Sequence, residues 1–113
     1  MKVISGAGRF TAPAGPDANH WAEHFSVADL SVGTYSILAG GVDDQEPHTE
    51  DEIYVVTAGQ AVLQAGGDSA AVGPGSVIYV AAGEVHKFTD IIEDLAAIVL
   101  FAPAEGSRSA APS

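Results

Sequence analysis

Short runs of alternating apolar and polar residues, broken by turn formers, occupy most of the chain. A period of two puts one set of side chains on each face of an extended strand, so the pattern predicts β structure rather than helix. Residues 31–39 read as a strand with Tyr35 and Ile37 on one face and Val32 and Leu38 on the other. Residues 52–58 follow the same rule, with Glu52, Tyr54 and Val56 on one side and Ile53, Val55 and Thr57 on the other. Further strands are predicted over 60–65, 69–72, 76–80 and 85–88, with a short one over 1–8. Residues 20–27, around Trp21 and Phe25, read as a strand with helix as the alternative. Residues 95–101 are continuously apolar and predict a strand buried on both faces.

Turn chemistry separates these runs. Gly66-Gly67 suits a two-residue hairpin, Gly73-Pro74-Gly75 forces a tight turn, and Ala81-Ala82-Gly83 turns the chain again. Residues 11–19 form a loop by their Pro and Gly content. About eight to ten short strands in one small domain predict an all-β fold, a sandwich or closed barrel, spanning residues 1–102. Residues 103–113 are rich in Ala, Ser and Pro, and are expected to form a flexible C-terminal tail.

Composition narrows the function. The chain has 113 residues, 47% hydrophobic and 17% charged, which fits one folded domain and excludes a disordered chain. Lys and Arg total 4 against 15 Asp and Glu, a net charge of −11. That surface repels phosphate backbones and anionic lipid, so neither nucleic acid nor membrane is an expected partner. Cysteine is absent, which removes disulfides, thiolate nucleophiles and Cys-ligated zinc. The first residues are too poor in apolar side chains for a signal peptide, and no apolar run reaches membrane length. The cytoplasm is the expected location.

Glu46, His48 and Glu52 fall at i, i+2 and i+6, on one side of an extended chain. Two carboxylates and an imidazole facing an apolar interior are costly to bury unless a partner or a metal neutralises them. The neighbouring Asp43, Asp44, Glu50 and Asp51 read as a solvated acidic loop, and their offsets are not those of an EF-hand. His20 and His24, four apart, read as surface or packing histidines. By alternation the interior is lined by Tyr35, Ile37, Tyr54 and Val56, and further along by Ile78, Val80, Phe88, Ile98 and Leu100. The basic residues are Lys2, Arg9, Lys87 and Arg108, too few and too scattered for a phosphate site.

These residues resemble a known family. The first cupin motif runs Gly, five residues, His-x-His, three or four residues, Glu, six residues, Gly, and Gly40, Glu46, His48, Glu52 and Gly59 match every spacing. The second runs Gly, five residues, Pro-x-Gly, two residues, His, three residues, Asn, and Gly75, Ala81, Gly83, His86 and Asp90 match it. The chain therefore resembles a small single-domain cupin, with Glu46 in place of the first His, Ala81 in place of Pro and Asp90 in place of Asn. The resemblance implies a jelly-roll β-barrel with Glu46, His48, Glu52 and His86 as metal ligands. Such a nitrogen and oxygen set suits divalent iron, manganese, zinc, nickel or cobalt. Without Glu46 the remainder is a two-His, one-carboxylate set, suited to non-haem Fe(II).

The activity so implied is a dioxygenase-type reaction on a small organic substrate, aromatic or enolic. The alternatives are a non-redox isomerase, cyclase or lyase with Glu46 or Glu52 as general base, and a cupin that binds metal or ligand without turnover. The resemblance also implies a homodimer, for which residues 95–101 and Trp21 are the candidate apolar surfaces.

Overall fold

The computed structural model describes residues 1–108. Six strands follow in chain order: β1 Asn19–Val27, β2 Leu30–Ile37, β3 Asp51–Ala65, β4 Asp68–Val72, β5 Val77–Val80 and β6 His86–Ala102. All pairings are antiparallel in the order β1-β2-β6-β3-β4, with β5 on the free side of β3. The all-β expectation holds, and no helix among the described residues is long and apolar enough to cross a membrane. Residues 1–8 form no strand. They are held as a loop instead, with the Gly8 N–H donating to Thr34 Oγ1 at 2.8 Å and the Thr57 hydroxyl donating to the Gly8 carbonyl at 2.6 Å.

Two long strands replace four of the short ones expected. β3 runs through Gly59, and β6 joins residues 85–88 to 95–101, because the intervening residues bulge rather than break the ladder. A bulge adds a residue to one strand and so moves the inward-facing positions from even to odd numbers. In β3 the buried set is Glu52, Tyr54 and Val56 before Gly59, and Ala61 and Leu63 after it. In β6 it is His86 and Phe88 before Asp90, then Ile91, Leu95, Ala97, Val99 and Phe101, with Ala96 buried on the other face.

The residues at the bulges are suited to them. Gly59 has φ 89°, and a Cβ there would lie 2.4 Å from the Asp94 carbonyl oxygen, so no side chain fits. Asp90 has φ 48°, a left-handed conformation that Asp and Asn tolerate better than most residues. Strict alternation had pointed Ile98 and Leu100 inward. The bulge turns Val99 and Phe101 to the interior, leaving Ile98 and Leu100 half-buried on the other face. Each long strand therefore serves both halves of the container. The 51–56 half of β3 pairs with β5 and with the end of β6, and the 61–65 half pairs with β4 and with its beginning.

The chain beyond β6 corrects another expectation. Residues 103–108, assigned to a flexible tail, are tied to the barrel, whereas residues 109–113 lie outside the described residues. Ala104 is buried, and its N–H donates to the Ala28 carbonyl at 3.3 Å. The Glu105 N–H donates to Ser31 Oγ at 2.9 Å. Glu50, expected in a solvated loop, is 1% exposed and accepts the N–H groups of Gly106 at 2.8 Å and Arg108 at 3.0 Å, as well as the Thr49 hydroxyl. Burial alone raises the affinity of this carboxyl for protons, but those three donors outweigh it and hold its pKa below the ordinary value.

Glu50→Ala is expected to cost about 1.5–3 kcal/mol, the range for losing hydrogen bonds to a charged group. Urea denaturation measures the loss, and limited proteolysis should cut the released turn around residues 104–108. In the wild type this contribution is present above the carboxyl's ordinary pKa and disappears as pH falls through the depressed one.

Candidate metal centre

Three donor side chains reach one point in the interior from three parts of the chain. Ligand atoms of His48, Glu52 and His86 all lie within 4.8 Å of one another. Glu52 opens β3, where it pairs with Phe101 and Val80. His86 opens β6 opposite Ala65, at the far end of β3, so the two are not ladder neighbours and meet across the barrel. His48 stands on the loop before β3, which is anchored where the Gly83 N–H donates to the His48 carbonyl at 2.7 Å. Its ring packs edge-on against Phe101, with centroids 4.7 Å apart.

The hydrogen bonds orient these groups. His86 Nδ1 lies 2.8 Å from the Glu84 carbonyl oxygen, which can only accept, so Nδ1 carries the proton and donates it. Nε2 then faces Glu52 Oε1 at 3.0 Å and the Tyr54 hydroxyl at 3.0 Å. Glu52 is 2% exposed, and neither of its oxygens has a hydrogen bond, although Oε1 is in ion-pair range of His86. A carboxylate oxygen and an imidazole lone pair repel each other at that distance. Either a second proton on His86 or a cation between the two relieves this. Burial lowers the proton affinity of His86, but the Glu52 carboxylate, the Glu84 carbonyl and the charge of Asp43 outweigh it and hold its pKa above 6.5. A buried carboxylate without a donor, facing an imidazole whose tautomer is fixed from behind, fits a divalent cation.

Glu46 does not join this group. Its side chain, expected among the ligands and as a general base, is exposed and lies outside both the donor group and the cavity. An extended chain would put Glu46 on the same side as His48 and Glu52, but residues 40–50 form no strand. Asp43 organises the loop. Buried to 6% exposure, it accepts the Tyr35 hydroxyl and the Phe88 N–H, both at 2.8 Å, and the Gln45 side-chain amide at 2.8 Å. Gln45 is thereby drawn inward. Its Oε1 lies 3.1 Å from the Tyr54 hydroxyl and 3.2 Å from His48 Nε2, while the next residue, Glu46, is turned to solvent.

Asp43 and Gln45 are residues around the candidate centre that motif spacing did not reveal. Glu105 is a third, because it sits in the segment read as a tail. Its carboxylate lies 3.7 Å from His48 Nδ1, and burial together with nearby Glu23, Glu50 and Glu52 raises its pKa, against the lowering effect of His48.

Tyr54 is buried, and burial beside Glu52 holds its pKa well above 10, so it remains a hydroxyl donor. Tyr35, buried against Asp43, is likewise held protonated. Tyr79, by contrast, is exposed. His24 bonds Thr34 Oγ1 at 2.7 Å and has a packing role, and neither it nor His20 belongs to the metal-ligand group.

The centre opens into a cavity of about 230 Å³. Trp21, Tyr35, Val99 and Phe101 form apolar walls, and Asp44, Gln45 and Glu105 add polar groups. Trp21 lines this cavity and remains 36% exposed.

The cupin domain family matches this chain over residues 33–102. The uncharacterized protein SCO3923 of Streptomyces coelicolor is 47% identical over 77 residues, 68% of this chain and 73% of that protein. Among solved structures, KdgF from Halomonas sp. aligns with a TM-score of 0.71 at 20% identity, covering 81% of this chain and 85% of its own. The DMSP lyase DddQ from Ruegeria pomeroyi aligns with a TM-score of 0.72 at 21% identity, over 97% of this chain and 57% of its own. At such identities the structural likeness speaks for the fold alone.

Proposed function

The chain belongs to the cupin family, and we propose that it is a metal-dependent enzyme performing dioxygenase-type chemistry on a small organic molecule. One observation carries this reading: the buried Glu52 carboxylate lies 3.0 Å from His86 Nε2, and ligand atoms of His48, Glu52 and His86 all lie within 4.8 Å of one another. That is a two-His, one-carboxylate donor set, the kind that holds non-haem Fe(II) with positions left open. A bound divalent ion would supply Lewis acidity or oxygen activation.

The chain's own groups do the rest. Gln45, fixed by Asp43, orients the His48 imidazole. The Glu84 carbonyl keeps the proton of His86 on Nδ1, away from the centre. Tyr54 offers a hydroxyl proton beside His86 Nε2, and Val99, Phe101 and Trp21 limit the water that reaches the substrate.

A second reading, non-redox lyase or isomerase chemistry, is favoured by Tyr54 itself. A phenol kept protonated beside the donor set can deliver a proton to a leaving group without any oxidant. DddQ, which shares the fold, is described as a lyase.

Oxygen uptake separates the two. The chain loaded with Fe(II) is expected to consume oxygen only when a substrate from an aromatic or enolic panel is present. Turnover with zinc or manganese and no oxygen uptake would assign the second reading. Metal bound tightly with no turnover of any panel member would make the protein a binding module.

A further inference from the structure

The cavity walls combine aromatic faces with negative charge and contain no cation. Trp21 meets Tyr35 edge-to-face at 6.5 Å and Phe101 at 6.1 Å between centroids, giving an aromatic corner in the cavity wall. Asp44 and Glu105 line the same space. None of Lys2, Arg9, Lys87 or Arg108 lines it. A divalent ion offset by Glu52 would leave one positive charge at the centre, against the two further carboxylates that line the cavity. Glu23, on the strand that carries Trp21, adds to the negative field felt by Glu105. Glu105 is not on a free chain end, because its own N–H and that of Gly106 are anchored by Ser31 and Glu50. Its backbone is therefore fixed beside the cavity, and its carboxylate lies 3.7 Å from His48 Nδ1.

We propose that this cavity selects a small organic cation, with the charged head against Trp21, Tyr35 and Phe101 and Glu105 as its counter-charge. Aromatic rings attract a cation through the negative potential over their faces, more strongly where water is displaced. The same walls give no counter-charge to a phosphate or sulfate. The inference rests on the reading of this cavity as the substrate site, and it specifies the class of molecule that enters.

Trp21 is the chain's single tryptophan and lines the cavity, so its fluorescence reports occupancy. Choline and its neutral isostere 3,3-dimethylbutan-1-ol should be titrated at about pH 8 into metal-loaded and chelator-treated protein, with metal content measured on each sample. Choline is expected to bind at least about ten-fold more tightly than the isostere. Glu105→Gln should abolish that preference, and Glu46→Gln, altering an exposed carboxylate outside the cavity, should retain it. Equal binding of the two probes, no response to choline at millimolar concentration, or a preference that survives in Glu105→Gln each overturns the proposal. Protein that prefers choline but takes up no metal removes the metal reading and leaves cation selection standing. Metal-loaded protein without the preference does the reverse.

Discussion

Glu52→Gln is expected to lower affinity for divalent metal by more than about 100-fold, beyond what loss of an outer-shell partner costs. The substitution keeps the shape of the side chain and removes its charge. It also puts an amide, which can donate to His86 Nε2, where two carboxylate oxygens now have no donor. The metal-free variant should therefore fold, and at about pH 8 it should be no less stable than metal-free wild type. What it should lose is stabilisation by metal. Ligand binding to the native state alone adds about 2.7 kcal/mol at a hundred times Kd, a rise in Tm of roughly 10 °C for a domain of this size. Thermal melts with and without added Mn(II) or Fe(II) read this directly. A variant that keeps the full metal-induced rise would remove Glu52 from the ligand set.

The second large effect is a pH dependence of stability that the metal-free form shows and the metal-loaded form does not. His86 is held above its ordinary pKa of 6.5, despite burial, by Glu52 and the Glu84 carbonyl. A raised folded pKa means that the protonated imidazole stabilises the metal-free fold fully below 6.5, and that this contribution is lost as pH rises through the folded value. Metal binding needs the same nitrogen without its proton, so affinity rises over the same interval. Metal-free protein should thus become less stable from about pH 6.5 upward, while metal-loaded protein, whose His86 Nε2 holds no proton to lose, should keep its stability over the same interval. Dialysis should leave metal bound at about pH 8 and strip it at about pH 5. Urea denaturation of both forms across this range measures the two slopes. In Glu52→Gln the metal-free slope should flatten, because the carboxylate that holds the His86 proton is gone. Parallel slopes in the two wild-type forms would contradict the pairing of His86 with Glu52.

Much of this centre is legible in the sequence, because fixed spacing between turn residues carries it. The intervals from Gly40 through His48 and Glu52 to Gly59, and from Gly75 to His86, set strand starts and turns that bring three donors together. Local alternation located the buried Tyr54 and Val56 for the same reason.

The errors have a common origin in contacts distant along the chain. Glu46 was placed inward by extrapolating strand alternation into a loop, where the pull of Asp43 on Gln45 decides the register instead. Glu50 looked solvated because its partners lie 56 and 58 residues away. Glu105 looked like tail because composition does not report the backbone bonds that fasten its turn. Gly59 and Asp90 read as strand breaks, yet each allows a bulge that continues the strand and swaps its faces. That is how Ile98 and Leu100 took the place of Val99 and Phe101 in the sequence-based lining.

The central claim is that one divalent cation sits among His48, Glu52 and His86. Anomalous diffraction from crystals grown with Mn(II) or Co(II) tests it most directly. A single strong peak within coordination distance of those three side chains, with Glu46 away from it, is the expected map. A map with no peak there, or with its peak on the exposed acids of the 43–46 loop, would contradict it.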